Sequence, residues 1–332
     1  MVSAQSGGNS TYPFLNLVTS ARIASMGGDF LAVSDNDLAV AAVNPSLLSP
    51  EMKNQLAMQF VDYYTDINYG SVYYSRTFKK IGSFSGGIHY IDYGKFDRTN
   101  VGGDIEGTFS ASEYAIQVGW GRKLDSNFSI GANLKPVFSY MDGNRSFGLG
   151  TDLAGSYHNS KRELTVSLLA KNAGRQISKD AVGELENFPF SMEIGVTKRL
   201  KHLPFRYSVI YQHLEKFDLT YADPLVDKPT IDPLTNEAVK EDKIGKFTNK
   251  LARHFIVGGE FMPSKNFSVR LGYNYLRRKE LGVDTKMSTV GISWGFGLKI
   301  KQFQFNYARS ANHVAGSPNY ISIVANLGEW IN

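Results

Sequence analysis

The hydrophobic and polar residues of this chain alternate with a period of two over most of its length. In residues 288–299, for example, the apolar Ile292, Trp294 and Phe296 alternate with small or polar residues. Such alternation is typical of β-strands, because successive side chains point to opposite faces of a sheet. We predict about fourteen strands from this pattern, near residues 54–64, 69–78, 83–93, 109–121, 128–140, 146–157, 163–172, 188–198, 204–214, 253–262, 266–276, 288–299, 302–310 and 319–328.

The links between the predicted strands alternate between short turns and longer loops. The tight links are residues 79–82, 122–127, 159–162, 199–203, 263–265 and 300–301, and the longer ones are 94–108, 173–187, 215–252, 277–287 and 311–318. Two links on the long side, near 65–68 and 142–145, are short exceptions. Outer-membrane barrels have short periplasmic turns and long extracellular loops. The pattern therefore predicts an all-β, antiparallel transmembrane barrel over residues 53–332, with both termini periplasmic and the long loops extracellular.

The composition of the two strand faces indicates which face meets the membrane. One face carries Phe, Ile, Val and Leu, and the other is dominated by Gly, Ser, Asn and Ala rather than by the Lys and Glu of a water-facing surface. A barrel of about fourteen strands has a lumen too wide for apolar side chains to fill. We therefore predict that the apolar face meets lipid and that Tyr and Trp near strand ends lie at headgroup level. A soluble β-sandwich is the alternative, since alternation alone does not say which face is wet.

Residues 14–52 precede the first predicted strand and follow another pattern. A short helix is predicted over residues 20–30, capped by Ser20 or Thr19, and a second helical piece over residues 38–43. We interpret this segment as a hatch that folds into the lumen; the alternative is a stretch lying loosely below the barrel. Residues 1–13 are interpreted as a tail or the remnant of a secretory signal. The residues that define the predicted hatch are Ala21, Arg22, Gly27, Gly28, Asp37, Asn44 and Pro45.

The opening of the chain resembles a known family. The run Ala21-Arg22, Met26-Gly27-Gly28, Asp37-Leu38 and Asn44-Pro45-Ser46-Leu47-Leu48, followed by the fourteen-strand pattern, is similar to the PorV/PorQ family of outer-membrane proteins. These proteins belong to the type IX secretion system of Bacteroidetes and are distant relatives of the FadL fatty-acid transporters. The resemblance extends along the whole chain, and the chain length and the Asn-Pro-Ser-Leu-Leu run favour the PorQ branch. It implies a FadL-like barrel with its N-terminal segment inside the lumen.

The resemblance also implies a function and partners. Proteins of this branch are not enzymes and carry no cofactor. They belong to the cell-surface attachment complex with PorU, PorV and PorZ, which removes the C-terminal sorting signal of secreted proteins and links them to surface lipopolysaccharide. The expected role of this chain is to hold PorZ, and through it PorU and PorV, at the outer membrane. The runner-up is a FadL-like channel for a hydrophobic small molecule, with a pocket near Leu15, Leu17, Phe30 and Leu31 and a lateral exit.

No signature of catalysis, metal binding or nucleic-acid binding is found in the sequence. The chain has no Cys, and its six His residues (His89, His158, His202, His213, His254 and His313) have no second ligand at metal-binding spacing. Gly82-Ser-Phe-Ser-Gly86 does not have the serine offset of a nucleophile elbow. The net charge of +5 is scattered in short Lys and Arg pairs rather than gathered on a basic helix or stripe. We therefore expect neither an enzyme nor a nucleic-acid-binding protein.

The longest predicted loop, residues 215–252, is the candidate docking surface for a protein partner. It mixes acids with lysines and contains three prolines, and binding sites commonly lie on loops held by a rigid scaffold. A calcium site from its aspartates lacks the regular ligand spacing of an EF-hand loop, so a solvated surface loop is favoured over a metal site. The candidate partner-binding residues are Tyr221, Asp223, Asp227, Asp232, Glu237 and Glu241.

Overall fold

The computed structural model describes residues 10–65, 67–178, 185–220, 243–282, 289–311 and 316–329. Its strands form one closed antiparallel barrel, in which each strand pairs with its sequence neighbours and the first strand pairs with the last. The strands are β1 (Gln55–Asp62), β2 (Asn68–Phe78), β3 (Gly82–Thr99), β4 (Ile105–Lys123), β5 (Phe128–Met141), β6 (Asn144–Asn159), β7 (Leu164–Gln176), β8 (Ser191–Arg199), β9 (Phe205–Tyr211), β10 (Phe255–Phe261), β11 (Phe267–Asn274), β12 (Ile292–Ile300), β13 (Phe303–Ser310) and β14 (Asn319–Asn326). The predicted fourteen-strand barrel is confirmed.

The strands β3 and β4 correct the predicted loop over residues 94–108. They continue as a hairpin beyond the predicted ends, and their tip is a turn in which the Asn100 side chain accepts hydrogen bonds from the backbone of Gly102 and Asp104. Phe96 and Phe109 stack across this extension with ring centroids 5.3 Å apart. Polar residues occur on both faces of this extension, so it shows no clear alternation of apolar and polar positions, and the sequence pattern did not predict it. The other strands begin and end within about four residues of the predicted limits.

The apolar side chains of the strands form the outer surface of the barrel. Along β11, Leu271 is 61% exposed whereas its neighbour Arg270 is 3% exposed. The exposed band includes tyrosines such as Tyr90 and Tyr140, as an interfacial aromatic girdle requires. An apolar exterior on a closed barrel fits lipid rather than water. Within the described ranges, no helix is long and apolar enough to span a membrane.

Two residues depart from their predicted strand positions. Val290 was expected on the outward face, but it is 2% exposed because the chain turns at Gly291, whose φ is +88°, before β12 begins. Tyr275 was expected at the end of a strand, but it is the first residue of helix α4 (Tyr275–Leu281). The Asn274 side chain caps this helix by accepting a hydrogen bond from the backbone N–H of Arg277.

Short helical pieces precede the barrel, as the caps in the sequence indicate. Helix α1 (Ala21–Ser25) starts at Ser20, whose hydroxyl accepts from the backbone N–H of Ile23, and helix α2 (Leu38–Ala41) is capped by Asp37. Both helices are shorter than predicted; α1 is followed by Gly27 and Gly28, which adopt positive φ angles of +102° and +94°. Among the described residues, four 3₁₀ turns and helix α3 (Lys243–Ala252) complete the elements outside the strands; the turns are Pro13–Asn16, Pro45–Leu47, Pro50–Met52 and Leu327–Glu329.

Candidate functional site: the contact between the N-terminal segment and the barrel

The N-terminal segment, residues 10–54, contacts the inner face of the barrel on two opposite walls. Helix α1 packs against β11 to β14, and the Pro45–Leu47 turn packs against β4, β5 and β6. We call these the α1 contact and the Pro45 contact. Since β4 to β6 and β11 to β14 lie across the closed barrel from each other, the segment lies between them.

Glycines on both walls allow the segment's backbone to approach the strands closely. A Cβ at Gly131 would collide with the backbone of Pro45 and Ser46, and a Cβ at Gly272 would collide with the backbone of Gly27. Glycines are tolerated in strands where another backbone comes close. The small residues of the polar strand face therefore make room for the N-terminal segment.

A buried cluster of charges holds the α1 contact. Arg22, 4% exposed, pairs with Asp37 at 2.9 Å and with Glu260 of β10 at 3.2 Å. The nearby Glu260 carboxylate also accepts from Arg206 at 2.8 Å and from Arg270 at 2.7 Å. Buried charges are tolerated only when they are paired and hydrogen-bonded, so this cluster fixes the position of α1 against β9, β10 and β11.

Asp35 is the most exposed carboxylate of this cluster. Its side chain is 24% exposed, and it pairs with Arg22 at 2.5 Å and with Arg206 at 2.6 Å. Burial alone would raise the pKa of Asp35, but the positive charges of Arg22 and Arg206 outweigh burial and hold this pKa well below its usual range. Asp35 is therefore ionised at neutral pH and links the N-terminal segment to the barrel wall.

A second ionic contact lies on the neighbouring wall. Lys171 of β7 pairs with Asp29 of the N-terminal segment at 3.2 Å and with Glu193 of β8 at 2.7 Å. On the same part of the inner face, Lys135 pairs with Asp152 at 2.7 Å. Each lysine lies on a strand position that points inward, so its charge is neutralised within the barrel rather than by water.

Neutral hydrogen bonds hold the Pro45 contact. Within the segment, the Asn44 amide donates to the Leu31 carbonyl at 2.6 Å, and its oxygen accepts from the backbone N–H of Ser46 at 3.1 Å, which shapes the turn that meets the wall. The Ser46 and Ser156 hydroxyls lie 2.6 Å apart, and Ser156 contacts the Ser167 hydroxyl at the same distance. This contact contains no ion pair among the residues named here, in contrast to the α1 contact.

Aromatic residues fill the barrel towards the long loops. Tyr12 and Phe188 meet edge to face with ring centroids 5.2 Å apart, and Phe14 packs on the His89 ring at 5.3 Å. Tyr12 and Phe14 are each 1% exposed. Leu15 and Leu17, which the channel hypothesis placed in a pocket, pack partly buried against this cluster. Phe30 and Leu31, the other two residues of the expected pocket, are fully buried in two separate clusters, so the four residues are divided among three apolar clusters.

Two polar cavities open at the short-turn rim, and two apolar grooves lie on the outer wall. One polar cavity, of about 460 Å³, reaches Arg22, Asp35 and Glu260, and the other, of about 230 Å³, lies beside Ser46 and Ser156. An apolar groove of about 560 Å³ crosses β1 to β3 at Gly70 and Gly86. The polar cavities thus lie on the inner side of the barrel wall and the apolar grooves on its outer side.

The predicted hatch residues are divided between the two contacts. Ala21 donates its backbone N–H to Ser322 at 2.8 Å, and Gly27 donates to Ser293 at 3.0 Å, both on the wall that holds α1. Arg22 and Asp37 belong to the charge cluster, and Asn44 and Pro45 to the opposite contact. The candidate partner-binding residues Tyr221, Asp223, Asp227, Asp232, Glu237 and Glu241 lie outside the described residues.

The sequence pattern did not identify the barrel-side charges of the Arg22 cluster and of the second ionic contact. Glu260, Arg206 and Glu193 sit at inward positions of strands whose other face is apolar. A charged residue in phase with Ser and Gly inside a predicted transmembrane strand is the signal that could have identified them, because such a residue must face a polar interior. Among the described residues, no group of three or more His, Cys, Asp or Glu is arranged to hold a metal ion.

The fold is shared with solved transporters. The chain is similar to the Pseudomonas putida toluene transporter TodX, with 13% identity, a TM-score of 0.54, and coverage of 92% of this chain and 98% of that one. It is also similar to the Ralstonia pickettii toluene transporter TbuX, with 11% identity, a TM-score of 0.54, and coverage of 93% and 97%. A Pseudomonas aeruginosa FadL homologue matches with 10% identity, a TM-score of 0.48, and coverage of 93% and 98%.

No protein-family model matches this sequence, and no curated protein matches it. Identities this low show a common fold and carry no substrate with them. The chain therefore shares the closed, fourteen-stranded antiparallel barrel fold of these transporters, and its apolar exterior fits a lipid environment.

Proposed function

We propose that this protein is a non-catalytic outer-membrane barrel whose lumen is closed by its own N-terminal segment, and that it anchors protein partners at the cell surface. The observation that supports the closed lumen is the set of buried contacts on both walls, from the Arg22 cluster to Asn44 and Ser46. A barrel that is filled in this way has a rigid interior, and long loops on a rigid scaffold are suited to binding other proteins.

The partner that we propose comes from the resemblance of the N-terminal sequence to the PorV/PorQ family. In that setting the long loops face the outside, the termini face the periplasm, and the loops hold PorZ, and through it PorU and PorV, beside surface lipopolysaccharide. The segment 215–252, with its mixed acids and lysines, is the loop that we assign to this contact.

Removal of the central part of that segment tests the anchor proposal. We expect a chain lacking residues 222–241 to lose co-purification of PorZ from membranes, while it keeps the gel shift on heating that marks a folded barrel. The matched control shortens the β3–β4 hairpin by residues 98–107, which extends from the same rim. PorZ retention by the first variant, or equal loss in both, would contradict the proposal.

A channel for a hydrophobic small molecule is the second candidate function. The fold comparison supports it more directly than it supports the anchor, since TodX and TbuX are both toluene transporters. The apolar groove at Gly70 and Gly86 provides an apolar surface on the wall. A channel requires the aromatic cluster around Tyr12 and Phe14 to open a path for the solute.

Uptake of a hydrophobic solute separates the two candidates. We expect vesicles with a lipopolysaccharide outer leaflet that contain the purified barrel to take up toluene at the rate of the same vesicles without protein, because the N-terminal segment closes the lumen. The control is the chain without residues 10–50, which lacks that segment and should raise ion conductance in planar bilayers. Faster toluene uptake by the intact chain, or native mass spectra showing a bound hydrophobic ligand, would favour the channel instead.

A further inference from the structure

The larger polar cavity at the short-turn rim combines many positive charges with few negative ones. Six cationic side chains line it, against the two carboxylates Asp35 and Glu260. These carboxylates are already engaged by arginines at the floor of the cavity. The cationic lining residues are Arg22, Arg199, Arg206, Lys265, Arg270 and Lys299. Among the described residues, Asp35, Asp37 and Glu260 offset three of these six cations, so the cavity keeps an excess of positive charge.

Three of these cations come from three different turns. Arg199 ends β8, Lys265 lies in the turn between β10 and β11, and Lys299 lies near the end of β12. All three are exposed, and none forms an ion pair with another of the described residues. They surround the mouth of the cavity, whose floor is the Arg22 and Arg206 pair. An anionic chain entering the cavity would meet charges at several points rather than at one.

The size and the neutral lining of the cavity favour a peptide over a single small anion. Its volume of about 460 Å³ is many times the roughly 30 Å³ that one water occupies in the liquid. Asn266 and Gln304 offer amide groups of the kind that bind a peptide backbone, and Ser264 and Ser268 offer hydroxyls. Carboxylate side chains match the guanidinium groups of Arg199 and Arg206.

We propose that this cavity is a binding site for an acidic peptide segment, which inserts carboxylates between the turns of the rim and the buried arginines. One of those carboxylates takes the place of Asp35 on Arg206, where the present distance is 2.6 Å. The proposal does not depend on whether the barrel is an anchor or a channel, since it concerns the rim opposite to the long loops.

Binding of fluorescein-labelled hexaglutamate to the detergent-solubilised full chain tests the site. Replacing the mouth cations together (R199Q, K265Q and K299Q) should weaken binding about tenfold, because charges at the edge of a site act additively and are screened by salt. The matched control carries K79Q, K80Q and K161Q, which remove the same charge from exposed positions on other short turns. It should stay within about twofold of the unchanged chain, given that screening limits charges beyond about 10 Å.

One further variant and one further ligand distinguish binding of an acidic peptide from binding of any anion. D35N removes the competing carboxylate, and we expect it to bind hexaglutamate several-fold more tightly, whereas a merely disrupted rim would bind it less. Tripolyphosphate serves as the alternative anion. Absent hexaglutamate binding, equal losses in the two triple variants, or tight binding of tripolyphosphate alone would each overturn the assignment of an acidic peptide.

Discussion

The α1 contact and the Pro45 contact attach one segment to one barrel by different chemistry. Arg22 is held by carboxylates from the segment and from β10, whereas Ser46 is held by the hydroxyl of Ser156 and by the amide of Asn44. Buried charges cost a large desolvation free energy unless every partner is present, whereas neutral groups cost less. The ionic contact therefore fixes the position of the segment through the choice of charged partners, and the neutral contact fixes it through close packing against glycine.

Among the changes considered, loss of Arg22 should lower the free energy of unfolding the most. Arg22→Leu leaves Asp37 buried without its paired cation and removes one of the three arginines around Glu260, and we expect the free energy of unfolding to fall by about 3–5 kcal/mol. Urea unfolding in detergent, followed by tryptophan fluorescence, measures it. Arg98→Leu is the control, because the Arg98–Asp142 pair is solvent-exposed and should matter little. Equal effects of the two changes would show that the buried cluster has no special role.

A side chain at Gly131 should have the next largest effect. Gly131→Val forces a Cβ into the backbone of Pro45, and overpacking of this kind lowers the free energy of unfolding by about 1–3 kcal/mol. Gly155→Val on β6 is the control, since a Cβ there has no heavy atom within 4 Å. The same urea titration compares them. An unchanged free energy of unfolding for Gly131→Val would mean that the Pro45 turn does not lie against the wall.

Truncation of Asn44 should weaken the Pro45 contact by a smaller amount. Asn44→Ala removes its bonds to Leu31 and Ser46, and a lost buried hydrogen bond of this type costs about 1–2 kcal/mol. Hydrogen exchange of residues 42–49 should become faster, while exchange of residues 20–28 should stay unchanged. Equally fast exchange at both contacts would show that they open as one unit and would remove the distinction between them.

A fall in pH should affect only the α1 contact, and only under strongly acidic conditions. Because the pKa of Asp35 is lowered in the folded protein, its stabilisation is complete above the unfolded value of about 3.9 and is lost as the pH falls below it. We expect hydrogen exchange at residues 33–37, corrected for intrinsic rates, to rise between pH 4 and pH 2 and to stay constant from pH 7 to pH 5. A rise near pH 6 would contradict this assignment.

The barrel was predictable because its signal is local. A period of two with apolar residues on one face defines each strand, and the tight turns between strands define their order. The N-terminal cap at Ser20 was also readable, since it depends on a residue only three positions away. The polar tip of the β3–β4 hairpin was missed because neither of its faces is uniformly apolar there.

The charge cluster was not predictable, because its members are far apart in the chain. Arg22 and Glu260 are separated by 238 positions and meet only after the barrel has closed in its final register. Sequence could indicate that Arg22 lies in the hatch, and that Arg270 faces a polar interior. Which carboxylate pairs with which arginine depends on where α1 docks, and no local pattern specifies that docking.

We expect the N-terminal segment to lie inside the barrel, whose apolar outer face meets the membrane. Since the chain has no Cys, the pair Ser46→Cys and Ser156→Cys can be introduced without competing thiols. Their hydroxyls are 2.6 Å apart, close to the roughly 2 Å of an S–S bond. We predict that this pair cross-links in intact outer membranes, whereas Ser46→Cys with Ser293→Cys of the opposite wall does not. Absence of the first cross-link, or equal yields of both, would contradict the account.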